Sequence, residues 1–196
     1  KGYRGYPGVV CISVGDEVVH GIPGQRVIQK GDIVSIDVGV VYNGFVGDCA
    51  ASVIAGSDGP KAERLLQATE RALEAGIAQA VAGGRLGDIS NAIQSAAEQA
   101  GYSVVREFVG HGIGREMHEE PQIPNFGPAG KGPKLKPGMT FAIEPMVNMG
   151  GADVEVLADN WTVRTVDRSP SAHFENTVLV RNGEAEILTN PEYAGK

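Results

Sequence analysis

No run of about 18 apolar residues and no charged-then-apolar leader is found in this 196-residue sequence, so neither a membrane-spanning helix nor a secretory signal is expected. Cysteine is scarce: Cys11 and Cys49 stand alone, without C-x-x-C spacing. A chain of this size needs no disulfide to fold, which fits a reducing cytosol. Basic residues are outnumbered, 17 Lys and Arg against 24 Asp and Glu, for a net charge of -7. That balance argues against DNA or an anionic membrane as partner and favours peptides or small molecules. Nothing in a composition that is 42% apolar suggests disorder or a fibre, and one globular domain over residues 1–196, acting as a monomer, is the expectation. Lys1 is not a start methionine, and an N-terminal segment is expected to precede it.

What is present reads as α+β. Gly8 to Val19 gives two short strands broken at the turn dipeptide Gly15-Asp16. Ile33–Tyr42 and Phe45–Ile54 form a hairpin around Asn43-Gly44, the dipeptide best suited to a two-residue type I′ turn. Ser57 or Asp58 can cap a helix with Pro60 in its first turn and Leu66, Leu73, Ile77 and Ala80 on its apolar stripe. A second helix runs from about Gly87 to Ala100, with Ile89, Ala92, Ile93, Ala96 and Ala100 inward and Gly101 ending it. Strands return at Ser103–Val109, Thr140–Glu144 and Glu175–Val180, giving helices on one face of an antiparallel sheet. Gly31-Asp32-Ile33-Val34-Ser35-Ile36-Asp37 is echoed by Gly138-Met139-Thr140-Phe141-Ala142-Ile143-Glu144. If the echo records a duplication, two half-domains related by a pseudo-twofold axis each supply an acid.

The chemistry gathers on the hairpin. With Asn43-Gly44 as the turn, Asp48 falls opposite Gly39, and strand alternation puts Asp37 on the same face as Gly39. Asp37 and Asp48 are then diagonal neighbours about 7–8 Å apart, near enough to grip metal ions about 3.5–4 Å from each other. Solvated acids on an exposed sheet are the plain alternative. The flanking Ile36, Val38, Val40, Phe45 and Val46 weigh against it, because acids in an apolar strand usually need a compensating cation. Gly110-His111-Gly112-Ile113-Gly114 surrounds a histidine with glycines, His118 follows seven residues later, and Glu144 and Glu175 sit in apolar strands. One histidine or one glycine-rich stretch says little alone, but the set has the composition of a metal site. Four carboxylates and one imidazole without thiolate favour a hard to borderline divalent ion, Mn, Fe or Co, and admit Zn. A mononuclear iron site with two histidines and one carboxylate would leave several of the acids unexplained.

At these residues the chain strongly resembles the methionine aminopeptidases of the bacterial and organellar type, which share the pita-bread fold with prolidase and aminopeptidase P. The motifs are Gly5-Tyr6-Pro7, Val19-His20-Gly21-Ile22-Pro23, Asp37 with Asp48, Gly110 to Gly114, His118-Glu119-Glu120-Pro121, Pro137-Gly138-Met139, Glu144-Pro145 and Asp159-Asn160-Trp161. The resemblance implies that Asp37, Asp48, His111, Glu144 and Glu175 bind two divalent ions (Co, Mn, Fe or Zn), with Asp48 and Glu175 bridging. It implies that His20 and His118 position the substrate, that Glu144 also moves a proton, and that His118 helps stabilise the oxyanion. Tyr3, Tyr6, Cys11, Met117 and Trp161 map onto the pocket for the methionine side chain, an aromatic-lined slot suited to a thioether. The implied substrates are N-terminal methionyl peptides and nascent chains with a small second residue.

The sequence also departs from that pattern: Met117 stands where Phe is common, Val19 where some relatives carry Cys, His173 where Gln is usual and Asn176 where His is usual. The 31 residues from Glu144 to Glu175 leave no room for the helical insert of the second methionine aminopeptidase type. An Xaa-Pro peptidase of the same fold and a non-catalytic peptide binder are the alternatives. The pocket residues weigh against the first and the complete ligand set against the second. Lys131, Lys134 and Lys136 in a Gly/Pro-rich loop could touch ribosomal RNA, although three loop lysines are usually just solvated.

Overall fold

The computed structural model describes residues 2–56 and 59–189. Strands β1 (Cys11–Val14) and β2 (Glu17–Val19) flank the Gly15-Asp16 turn as expected, but they diverge, β1 joining the main sheet and β2 a smaller one. The hairpin of β3 (Ile33–Tyr42) and β4 (Phe45–Ile54) has the expected bounds and register, with Tyr42 opposite Phe45 and Gly39 opposite Asp48. Asn43 and Gly44 have φ values of 48° and 79°, the two left-handed residues a type I′ turn requires.

Helix α1 (Pro60–Gln79) starts at the expected proline, with Gly59 in the capping position. Ser57 and Asp58, the expected caps, lie outside the described residues. Its buried stripe runs through Leu65, Ala68, Thr69, Ala72, Leu73, Gly76 and Ile77. The expectation that Leu66 leads this stripe is therefore corrected: it is only partly buried, while its neighbour Leu65 is fully enclosed. Helix α2 (Leu86–Gln99) buries Ile89, Ile93 and Ala97, and Gly101 turns the chain away at φ 85°. Ala100 is exposed rather than inward, because it falls at the end of the helix, beyond the face that α1 covers. The two helices touch closely at Gly76, where a Cβ would stand 2.7 Å from Ile93 Cγ1.

Of the strand expected over Ser103–Val109 only β5 (Ser103–Val104) forms; residues 105–109 carry no strand, and β6 (Gly110–Gly112) starts beyond the expected bounds and belongs to a different sheet. The chain bends between the two sheets at residues 106–108, where Arg106 and Glu107 are exposed. The remaining strands are β7 (Glu119–Ile123), β8 (Thr140–Ile143), β9 (Met146–Asn148), β10 (Val154–Val156), β11 (Val163–Thr165), β12 (Ser171–His173), β13 (Glu175–Leu179) and β14 (Glu186–Ile187). The main sheet has the order β1-β3-β4-β13-β8-β6-β7, with β14 added on β13, and the ladders along it are antiparallel.

About the β4/β13 junction this order is nearly palindromic: β3 beside β4 answers β8 beside β13, and β1 answers β6. The sequence echo has a structural counterpart, since β3 and β8 each begin two residues after a glycine at positive φ, Gly31 at 94° and Gly138 at 89°. The helices cover one face of this sheet. Leu65, Ile89 and Ile93 pack with Phe141, Ile143 and Val178 in one buried cluster. Each such side chain contributes about 1.5–3 kcal/mol relative to exposure. The opposite face, at the β4/β13 junction, carries the acids.

Candidate metal centre and substrate cavity

Asp48 and Glu175 enter from the two sides of the junction. Only two residue pairs are aligned across β4 and β13, Ala50 with Glu175 and Cys49 with Asn176. Beyond them Thr177 replaces the backbone ladder: its hydroxyl accepts from the Asp48 N–H at 3.0 Å and donates to the Asp48 carbonyl at 2.8 Å. The backbone of Asp48 is thus fixed while its carboxylate is left free. Asp37 lies diagonally across the hairpin, opposite Ala50, and Gly39 between them carries no side chain.

His111 comes from β6, where Gly110 and Gly112 let strands pass closely. A Cβ at Gly110 would collide with the Ala142 carbonyl, and one at Gly112 with the Glu120 carbonyl. His111 Nδ1 lies 2.9 Å from the Gly112 carbonyl, a backbone acceptor, so the ring proton is held there and the Nε2 lone pair is directed elsewhere. Nε2 stands 3.4 Å from Glu144 Oε1. Ligand atoms of Asp48, His111 and Glu175 all lie within 4.8 Å of one another.

These acids are costly where they stand. Burial, with Asp48 adding like charge, pushes the Asp37 carboxyl up to about 7. Burial raises Asp48, partly offset by His111. Burial and then the neighbouring carboxylates raise Glu144 and Glu175 well above the ordinary carboxylate range. Oδ1 of Asp48 and Oε1 of Glu175 are buried without any hydrogen-bond partner. Unpartnered carboxylate oxygens beside a directed imidazole lone pair are what a divalent cation requires, and the donor set of oxygens and one nitrogen suits Mn, Fe, Co or Zn. The residues fit the group.

Above this floor opens a cavity of about 210 Å³, and each of the twelve site residues expected from the sequence lines it. His118 and His20 stand in its walls, and the His118 ring is tilted over His111 with centroids 4.2 Å apart. Loss of hydration, followed by repulsion of its protonated form from the basic side chains of His111, Arg4 and His20, pushes His118 down to about 4. Burial lowers His20 as well. Tyr6 meets Trp161 edge to face at 5.1 Å and donates its hydroxyl to the Gly21 carbonyl at 2.7 Å. Met117 lies over Gly39, where a Cβ would strike its methyl group. Burial raises the Cys11 thiol to about 11, so it faces the cavity as a neutral, apolar wall.

Some neighbours were not foreseen. Arg4, Val9 and Val10 also line the cavity. Thr177 has a sequence signal in retrospect, since it lies two residues from Glu175 and so shares its face. His173, one of the departures from the family pattern, is fully buried, with Nε2 3.9 Å from Glu144 Oε2 and both ring nitrogens unpartnered. Burial pushes it down to about 3, so it is a neutral imidazole. Asn176, the other departure on this strand, turns aside to bond the Glu175 carbonyl and the Thr189 hydroxyl.

A cluster of buried acids and one imidazole at the floor of a cavity, on a sheet with this order, defines the class: a metallohydrolase centre on a pita-bread fold. The sequence model of metallopeptidase family M24 matches residues 1–182, and the chain belongs to that family. It is 52% identical over 189 residues to methionine aminopeptidase 1 of Bacillus subtilis, covering 96% of this chain and 76% of that one. It is 53% identical over 189 residues to methionine aminopeptidase of Clostridium perfringens, with the same coverage. The crystal structure of methionine aminopeptidase from Thermotoga maritima superposes with a TM-score of 0.95 at 50% identity, over 97% of this chain and 77% of that one. Prolidase from Pyrococcus furiosus, at 24% identity and a TM-score of 0.75, over 93% of this chain and 49% of that one, shares the fold.

Proposed function

We propose that this chain is a metal-dependent aminopeptidase that removes the N-terminal methionine from peptides and nascent proteins with a small second residue. The observation that carries the reading is the pair of buried, unpartnered oxygens on Asp48 and Glu175 beside His111, at the floor of a cavity walled by Tyr6, Met117 and Trp161. Its support from relatives is identity near one half to proteins named methionine aminopeptidase over most of both chains.

Asp37, Asp48, His111, Glu144 and Glu175 would hold two divalent cations. Such ions, when bound, supply Lewis acidity, making water nucleophilic near neutral pH and polarising the carbonyl. The chain's own groups do the rest. Glu144 takes the proton given up by the attacking water and carries it to the leaving amide nitrogen. His118, neutral at working pH, hydrogen-bonds the scissile amide, and its N–H supports the developing oxyanion. His20, also in the cavity wall, orients the same amide. The thioether of the substrate lies against Tyr6, Cys11, Met117, Trp161 and Tyr3, where displacement of water and sulfur–aromatic contact favour methionine.

No helix among the described residues is long and apolar enough to cross a membrane. We take it to work as a monomer in the cytosol, the compartment being the one that its scarce cysteines favour. The deciding experiment compares hydrolysis of Met-Ala-Ser and of an Ala-Pro peptide by the metal-loaded protein. Cleavage of the first alone supports the assignment; cleavage of the second alone moves the chain to the Xaa-Pro peptidases, and cleavage of neither makes it a binding protein.

A further inference from the structure

Tyr3 does more than bound the cavity. Its hydroxyl oxygen lies 2.7 Å from Nδ1 of His118, across 115 positions of sequence, and the two rings lie nearly parallel at 16° with centroids 5.6 Å apart. His118 leans over His111 as well, at 4.2 Å. The imidazole is therefore held by two aromatic neighbours and one polar contact. Its backbone is fixed separately: the Glu119 carboxylate accepts the N–H groups of Arg115 at 2.8 Å and Glu116 at 2.9 Å, stapling the loop on which Met117 and His118 stand. What that staple does not fix is which ring nitrogen carries the proton.

A neutral imidazole has one N–H, on either nitrogen, and the hydrogen bond made by one nitrogen decides the state of the other. Between a phenol and an imidazole the better donor is the O–H and the better acceptor is the ring lone pair. The 2.7 Å separation is also that of an O–H donor, shorter than the ~2.9–3.0 Å usual for N–H donating to oxygen. Tyr3 therefore donates, Nδ1 accepts, and the proton sits on Nε2. We propose that Tyr3 is a positioning residue that locks His118 in the Nε2–H tautomer, so that the ring always offers a donor for the amide being cleaved. The inference rests on the aminopeptidase reading and assigns Tyr3 a role distinct from walling the methionine pocket. The two roles predict different kinetics. A pocket wall acts on binding of the side chain, whereas a tautomer lock acts on the reacting amide and leaves binding alone.

Tyr3→Phe keeps the ring and deletes only the hydroxyl. In zinc-loaded protein with 15N-labelled histidine, His118 is expected to be all Nε2–H in the parent and a mixture of both tautomers in the variant. On Met-Ala-Ser, kcat is expected to fall at least about tenfold with KM changed less than twofold, because a catalytic imidazole in the wrong tautomer loses its donor. A parent with the proton on Nδ1, an unchanged tautomer in Tyr3→Phe, or a raised KM at constant kcat would each overturn the proposal. Should the parent cleave no methionyl peptide, the functional reading fails while the tautomer measurement still decides the lock.

Discussion

Nε2 of His111 and Oε1 of Glu144 face each other at 3.4 Å, with the Nδ1 proton of the imidazole turned away to the Gly112 carbonyl. Two acceptors held this close need something positive between or beside them, and without a metal that is a proton on Glu144. The raised carboxyls of Asp37, Glu144 and Glu175 point the same way. Adding Mn or Zn to chelator-treated protein near pH 7 is therefore expected to release protons as it binds and to raise the melting temperature. Calorimetry in buffers of different ionisation enthalpy measures the release, and binding without it would contradict the protonated acids.

Glu144→Ala is expected to abolish turnover of Met-Ala-Ser, with a loss beyond the ~10²–10⁴ typical of removing an acid–base group, because a proposed metal ligand goes with it. His118→Ala should keep the metal and lower kcat. Metal analysis beside steady-state kinetics separates the two variants; wild-type rates in the first would remove Glu144 from the mechanism.

Asp37 sets a pH dependence with a definite sign. Its carboxyl is raised from 3.8 to about 7, so the metal-free fold keeps a proton that the unfolded chain gives up. The stabilising effect of that proton is complete below about pH 4 and is lost as pH rises to about 7, levelling off above. The buried histidines act in the opposite direction, so a comparison isolates the group. In chelator, the melting temperature of Asp37→Asn relative to the parent is expected to climb between pH 4 and 7. A constant difference across that range would show that Asp37 is an ordinary exposed acid.

Thr177→Val keeps shape and removes the hydroxyl that bonds both the N–H and the carbonyl of Asp48. Leaving those buried groups unpaired is expected to cost about 1–3 kcal/mol of stability. Because Asp48 is thereby loosened, metal affinity should fall too. Denaturant melts with and without metal check both; a loss of stability with unchanged affinity would confine Thr177 to holding the strands.

Met117 covers Gly39 at the cavity wall. Met117→Ala is expected to raise KM for methionyl peptides severalfold with little change in kcat, since a binding surface is removed and not a reacting group. An unchanged KM would mean that the methionine side chain lies elsewhere.

The hairpin was legible to the residue. Asn43-Gly44 fixes a type I′ turn and alternation does the rest, so the placement of Asp37, Gly39 and Asp48 follows from local chemistry alone. Glu144 and Glu175 were legible for a different reason, the expense of acids in apolar strands. Where the outcome depends on distant packing the sequence is silent. Leu65 and Leu66 are adjacent and equally apolar, and only the position of α2 selects the first. Between Ser103 and Val109 the charged pair Arg106-Glu107 falls at a bend, but it does not say that the chain passes there from one sheet to another. His173 reads as an unusual substitution until β12 is laid beside β9, which carries it to Glu144.

Across β4 and β13 only two positions are paired, against ten across β3 and β4. Within the main sheet the two halves are thus joined along a short backbone weld, with Asp48 on one side and Glu175 on the other, while the β2–β11 ladder and the α1–α2 packing tie them elsewhere. A cation gripped by both would work as a rivet, adding cohesion where the main chain supplies little. Stripping the ion would then silence the site and slacken that seam together, while the shared helical core keeps the two halves in place.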